Sequence, residues 1–409
     1  MAFGQSLWML TSYLTIFMTL MCLAWAIYYD CTRTHIPAGM LDRKVIRCCN
    51  FLCGILFGLG LFLEKLGICH RYQMWRIALN GIPVMKSSYL IIKDLAFDDI
   101  PVRVYWPRTP STSRRGILYL HGGIGVCGSI CSHDRICRYF AEVTDSVVVN
   151  VGFRLVPEYP SHVTIRDCCT AATHFLKNAK AYGVDPNRVL IAGDSSGGTF
   201  AAAVSQKLVM RDDLPRLRAQ VLLYPFLQAV DFSLPSHQQN HSTPPLFIKR
   251  AIRHGFYFLT GKQVDVDGIM KNAHVPEHVL VKCRKWISAD NIPEQFKVRG
   301  YTPPVPAPFS KQLYETCKAA FDPTFSPLLA EDCIIRRLPD TFIYTCEYDV
   351  IRDDGLLYKK RLEDNGVSVT WFHVKNGYHG ILFTLGFGTF ESSGLKSSLP
   401  HVQAFIERM

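Results

Sequence analysis

At 409 residues and 48% hydrophobic content, the chain is long enough for one large α/β domain or two smaller ones and carries material for a sizeable core. Its formal charge of +11 is dispersed in short clusters such as Lys249-Arg250 and Lys359-Lys360-Arg361, without the interleaved aromatics of a nucleic-acid binder. The fifteen cysteines sit in too long a chain for a small disulfide scaffold, and they form no zinc-ligand spacing with histidine, so no metal or other cofactor is expected.

Residues 2 to 29 contain no charged side chain. Within them Leu7 to Tyr29 has the length of a membrane-crossing helix, which needs ~20 residues, and Trp8, Trp25, Tyr28 and Tyr29 lie towards its ends, where interfacial aromatics belong. The start, Met-Ala-Phe-Gly-Gln, lacks the basic residue of a cleaved leader, so residues 1–30 read as a retained anchor. A second uncharged run, Cys48 to Leu63, is short for a span and reads as a cap helix or an interfacial segment within a cap region of residues 31–87. Its cysteines, Cys48, Cys49 and Cys53, behave there as small hydrophobes. Arg33, Arg43, Lys44 and Arg47 follow the first run. For a single span the charge rule leaves the remaining chain in the cytosol, and a second span would reverse that orientation.

From residue 88 the composition is globular. Ser88 to Ile92 and Pro101 to Tyr105 predict two antiparallel strands turning at Asp98-Asp99. Gly116 to Leu120, Ser146 to Asn150, Arg188 to Ala192, Gln220 to Tyr224, Thr341 to Thr345 and Val369 to His373 predict six more. Helical patterns such as Ile165 to Tyr182 and Leu356 to Asn365 separate most of them. Apolar strands alternating with helices give an α/β fold, a mostly parallel sheet covered on both faces. The stretch of about 228–338, rich in Pro, His and charge, interrupts the rhythm as a lid or specificity insertion.

Gly193-Asp194-Ser195-Ser196-Gly197-Gly198 follows the strand Arg188 to Ala192 and precedes a small-residue helix, Thr199 to Val204. It fits the G-x-S-x-G nucleophile elbow, in which a serine sits on a strained strand-to-helix turn. His121-Gly122-Gly123 follows an earlier strand. The N–H groups of Gly122, Gly123 and Ser196 are candidate donors to a tetrahedral oxyanion, with the His121 imidazole bracing the loop. Asp349, beyond the strand Thr341 to Thr345, is a carboxylate suited to orient an imidazole; the nearby Asp353 and Asp354 read instead as acids of a helix N-terminus. His379, flanked by Gly377 and Gly380 on the loop after the last strand, completes the order Ser195, Asp349, His379, which is that of an α/β-hydrolase triad.

With these motifs in place, the chain resembles the hormone-sensitive-lipase group of α/β hydrolases. The resemblance rests on His121-Gly-Gly, on Gly193-Asp-Ser-Ser-Gly-Gly, on Tyr348-Asp349 followed by Arg352-Asp353-Asp354, and on Gly377-Tyr-His-Gly380. Gly152-Phe-Arg-Leu-Val-Pro-Glu-Tyr-Pro160 resembles that group's Tyr-Arg-Leu-Ala-Pro-Glu segment. The N-terminal anchor and Leu356 to Trp371 are most similar to the arylacetamide deacetylases and their "-like 4" relatives. The resemblance implies a serine hydrolase of apolar esters or amides, anchored in the endoplasmic reticulum with its domain in the lumen. Departures are Ile124, where the group has a third glycine, and Phe153, where a tyrosine is common. The competing reading is a catalytically silent lipid-binding or interaction protein on the same scaffold. A lumenal domain would admit a disulfide between Cys127 and Cys346 and a glycan on the sequon Asn240-His241-Ser242.

Overall fold

Asp98 and Asp99 both take left-handed backbone dihedrals, φ 47° and 68°, which is the geometry of a two-residue hairpin turn. They join β1 (Leu90–Phe97) to β2 (Ile100–Pro107), the antiparallel entry to the sheet. In this computed structural model the described residues are 34–81, 87–111, 113–305 and 307–409, with scattered positions between 12 and 32; the predicted anchor Leu7 to Tyr29 lies largely outside them. The sheet continues through β3 (Arg114–Leu120), β4 (Val147–Val151), β5 (Val184–Asp194), β6 (Ala219–Leu223), β7 (Asp340–Tyr348) and β8 (Val369–Tyr378). Its spatial order is β1-β2-β4-β3-β5-β6-β7-β8, parallel from β4 to β8. Each of the eight strands overlaps a stretch anticipated from the sequence.

The unbroken apolar runs of the inner strands follow from burial on both faces. Successive side chains of a strand point to opposite sides, and along β3 Ile117 and Tyr119 enter one core while Leu118 and Leu120 enter the other. One core is closed by the helices Ser161–Asn178, Ser196–Leu208 and Arg352–Asp364. The opposite core is closed by Asp134–Val143 and the C-terminal helix Ser393–Arg408, through Phe140, Leu399 and Phe405.

Two additions cover the carboxyl ends of the strands. Residues between β6 and β7 hold the helix Ile248–Thr260, whose Ile252 and Phe256 are buried. The N-terminal region supplies the helix Arg43–Lys65 and a short second helix, Gln73–Asn80. Phe57 packs 4.9 Å from the His254 ring, and Tyr72 Oη hydrogen-bonds His254 Nδ1 at 2.8 Å, which joins the two additions. Arg76 ties them to the body by donating to the carbonyls of Val126 at 2.8 Å and Val156 at 2.7 Å. The first helix runs 23 residues, longer at both ends than the uncharged run Cys48 to Leu63, because Arg43, Lys44, Arg47 and Glu64 are helical too. Among the described residues it is the one helix long and apolar enough to cross a membrane.

The approach of the helix Ser196–Leu208 to the sheet leaves no room for side chains at the crossing. A Cβ on Gly197 would stand 2.1 Å from the Leu120 carbonyl oxygen, and one on Gly193 would stand 2.3 Å from that of Gly197. Backbone cannot step aside as a flexible side chain can. Gly197→Ala is therefore expected to destabilise the fold by about 3 kcal/mol, the upper range for overpacking. Denaturant unfolding of the wild type and variant in detergent measures it, and equal midpoints would contradict the packing described.

Candidate active site

Ser195 sits between β5 and the helix that follows, with φ 55° and ψ −123°, a region that side chains other than glycine rarely enter. The strain is held by its surroundings: Ser195 N–H donates to Leu223 O at 2.8 Å, and Gly198 N–H donates to Ser195 O at 3.0 Å. This turn lifts Oγ off the carboxyl edge of the sheet. Two other strand ends deliver its partners. His379 follows β8 directly, and Asp349 follows β7. Ser195 Oγ donates to His379 Nε2 at 2.9 Å, and His379 Nδ1–H donates to Asp349 Oδ2 at 2.8 Å. Asp349 is 1% exposed, and its other oxygen accepts from Ile351 N–H at 3.0 Å, so the carboxylate is fixed at both ends. The structure thus brings together three residues 154 and 30 positions apart, in the arrangement that moves a proton from a hydroxyl to an imidazole.

Asp353 and Asp354 lie in the first turn of the helix Arg352–Asp364, where the sequence puts them, but they do not face solvent. Asp353 Oδ2 accepts from Ser236 N–H at 2.6 Å and Asp354 Oδ2 from Leu227 N–H at 2.8 Å, so both pin the start of the insertion to that helix.

The glycine loop differs from expectation at one atom. Gly122 N–H donates to Asp194 Oδ1 at 3.0 Å and is therefore not free for an oxyanion. Among the described residues the N–H groups of Gly123 and Ser196 have no acceptor, which leaves these two as the candidate hole. Ile124 N–H donates to Ser196 Oγ at 2.8 Å, a second tie between loop and elbow. His121 braces the loop as anticipated: its Nδ1–H donates to Gly122 O at 2.8 Å and its ring stacks on Phe153 at 4.1 Å. Burial, reinforced by the neighbouring His133, pushes its imidazole down to about 3, so the ring is neutral.

Asp194 organises this region, and the sequence reading gave it no role beyond a place in the motif. Its Oδ1 accepts from Tyr119 Oη at 2.8 Å and from Gly122 N–H, and His133 Nε2 lies 3.3 Å away. Burial alone would raise its carboxyl; His133, Tyr119 and Gly122 outweigh that and hold it below the usual carboxylate range.

Two further expectations are corrected. Cys127 and Cys346 are both free thiols. Cys346 on β7 points into the core under the C-terminal helix, whereas Cys127 packs against the opposite core, so the sheet lies between them. Asn240 is fully buried, and its Nδ2 donates to Glu347 O at 3.1 Å and Asp349 O at 3.0 Å. A glycan would have to displace that clamp, so Asn240 holds the loop that carries Asp349 instead of a sugar. No local signal distinguishes the two uses, because its partners are more than a hundred residues away.

In front of Ser195 lies a cavity with about 60 Å³ of free space, walled by Ile124, Phe200, Phe226, Phe256, Phe258 and Ile351 among others. A benzene-sized guest needs roughly 150 Å³, so the cavity as it stands fits a small apolar group. Ile124 reaches it with φ 60°, a strained conformation for a β-branched residue. His237, from the insertion, also lines it and carried no sequence signal.

Comparison with known proteins agrees with this architecture. Residues 117–279 and 295–383 match a family model described as the alpha/beta hydrolase fold. The chain is 43% identical to arylacetamide deacetylase-like 4 of Homo sapiens over 357 residues, covering 87% of this chain and 88% of that protein. It is 39% identical to the arylacetamide deacetylase of Bos taurus over 353 residues, 84% of this chain and 86% of that one. In backbone it is similar to carboxyl esterase 2 of Tuber melanosporum, with a TM-score of 0.60 at 20% identity, over 82% of this chain and 97% of the esterase. With a matched α/β-hydrolase core and such relatives along most of its length, the chain belongs to the arylacetamide deacetylase family of α/β hydrolases.

Proposed function

We propose that this chain is a membrane-associated serine hydrolase that cleaves carboxylic esters, and arylacetamide-type amides, of apolar substrates. The observation that carries the reading is the continuous relay Asp349–His379–Ser195 at the mouth of an apolar cavity. His379 Nε2 takes the proton of Ser195 Oγ as that oxygen attacks the substrate carbonyl, and Asp349 stabilises the imidazolium. The carbonyl oxygen gains negative charge and is received by Gly123 and Ser196 N–H, donors fixed before the reaction begins. His379 then protonates the departing alcohol or amine, and water, deprotonated by the same imidazole, releases the acyl group from Ser195. The names of the similar proteins, deacetylases among them, agree with this chemistry.

The membrane part of the reading has its own support. On the helix Arg43–Lys65, Leu52, Ile55, Leu59 and Phe62 form one stripe and are 53%, 43%, 42% and 59% exposed. A solvent-facing apolar stripe of this kind is suited to lipid. The opposite side of the same helix packs on the lid over the cavity, which would give an apolar substrate a short path from bilayer to Ser195. Following the family resemblance, we assign the catalytic domain to the lumen of the endoplasmic reticulum; protection from added protease in sealed microsomes tests this, and digestion without detergent would reverse the assignment.

Wild type in microsomes is expected to react with a fluorophosphonate probe and to hydrolyse p-nitrophenyl acetate, and Ser195→Ala to do neither. Asp349→Asn is expected to lower kcat by ~10⁴-fold, as for a wrongly oriented imidazole. An unlabelled but folded wild type would point to the silent-scaffold reading. Given the small cavity, acetate or propionate esters are expected to exceed octanoate in kcat/KM by at least ~10-fold. Ile124→Gly removes side-chain bulk at the cavity wall and a strained φ, and is expected to shift that ratio towards longer chains by about tenfold; an unchanged chain-length profile would mean that Ile124 does not bound the acyl site.

A further inference from the structure

Buried polar side chains are almost always hydrogen-bonded, and an exception calls for a cause. His237 is such an exception. Its residue is 2% exposed, and among the described residues neither ring nitrogen has a hydrogen-bond partner. The ring is not loosely placed. It belongs to the short helix Pro235–Gln239, where the adjacent Ser236 is held twice, by N–H donation to Asp353 Oδ2 at 2.6 Å and by Oγ donation to Val350 O at 2.9 Å. The imidazole packs 5.6 Å from the Phe232 ring and lines the same cavity as Ser195. An anchored polar group is thus presented to a space whose walls are otherwise almost wholly hydrocarbon.

The chemistry of the site restricts what can answer it. Burial holds the imidazole below its ordinary range, although the charges of Asp231, Asp353 and Asp349 pull upward. A neutral imidazole offers one N–H donor and one acceptor nitrogen. The same three carboxylates outnumber the one guanidinium that acts on the ring, that of Arg352, and so disfavour an anion beside it. The matching group is therefore neutral and able to hydrogen-bond, such as a hydroxyl or a carbonyl. With about 60 Å³ available, the cavity admits a short acyl chain and not an aryl leaving group.

We propose that His237 is a specificity-determining residue of the acyl site, selecting short, otherwise apolar acyl groups that carry one hydroxyl or oxo group. The inference rests on the hydrolase reading above. Without such a group the buried nitrogens stay unpaired whenever a plain acyl chain fills the cavity and excludes water. With it, the substrate supplies the missing partner. One hydrogen bond made in place of an unsatisfied group is worth about a tenfold change in rate constant ratio.

The test compares p-nitrophenyl 3-hydroxybutyrate with p-nitrophenyl butyrate, a pair equal in chain length, on wild type, His237→Leu and His237→Gln. Fluorophosphonate labelling of each protein reports separately on Ser195, so a failed hydrolase reading is recognised by unlabelled wild type. Wild type is expected to have the higher kcat/KM for the hydroxylated ester. That preference is expected to fall about tenfold in His237→Leu and to stay within about threefold of wild type in His237→Gln, which keeps a donor and an acceptor. A labelled wild type that prefers the plain butyrate overturns the proposal however the variants fold. An equal preference ratio in wild type and His237→Leu also overturns it, and would mean that an ordered water, not substrate, satisfies the ring.

Discussion

A buried carboxylate holds the catalytic edge of this protein together. Asp194 stands at the end of β5, one residue before the strained serine, and receives the hydroxyl of Tyr119 from β3 and the N–H of Gly122 from the loop beyond it. Removing a carboxylate from water costs several kcal/mol unless donors replace the lost solvent. Here two hydrogen bonds to Oδ1 and the nearby His133 offset part of that cost, while Oδ2 has no partner among the described residues. The consequence is geometric. With Gly122 N–H committed to Asp194, the next N–H along the loop, that of Gly123, is left without an acceptor among the described residues. The elbow and the glycine loop are two ends of one buried electrostatic contact, so their relative position is set before any substrate arrives.

The sheet explains why this contact can exist. Parallel strands β3, β5, β7 and β8 all end at one edge, and each contributes a piece there: the glycine loop, the serine, the aspartate and the histidine. Their distances are fixed by the inter-strand registers and by two cores that bury every inner strand on both faces. The loops need carry only short-range order. Asn240 Nδ2 on the carbonyl of Asp349 and Ile351 N–H on its carboxylate are examples, each restraining one degree of freedom at a strand end.

The space in front of Ser195 is shaped by the two additions over that edge. The lid helix Ile248–Thr260 and the N-terminal helix Arg43–Lys65 meet through Phe57, Tyr72 and His254, and the same lid closes the cavity with Phe256 and Phe258. Under the proposed function, a helix that is apolar on its outer side and interlocked with the lid on its inner side would couple access from a bilayer to the shape of the cavity. The small free volume, the bulky Ile124 and His237, whose ring nitrogens have no partner among the described residues, are the features that the proposed selectivity rests on.

The sequence by itself determined the fold class and all eight strands to within five residues at either end, and it singled out Ser195, Asp349 and His379, which the fold brings within hydrogen-bond distance of one another. These are legible because they depend on local pattern: apolar runs of strand length, glycines where backbones cross, and a chain order of motifs. Only the tertiary structure decided which N–H groups remain free, because that depends on Asp194, 72 residues from Gly122 in sequence. It also decided that Cys127 and Cys346 lie on opposite faces of the sheet, that Asn240 is a clamp and that His237 faces the cavity. Each of these is a relation between distant segments, and a side chain's type does not say which segment will pack against it. The pattern of a sequence records what each residue can do; burial and neighbours, which exist only in the folded chain, select what it does.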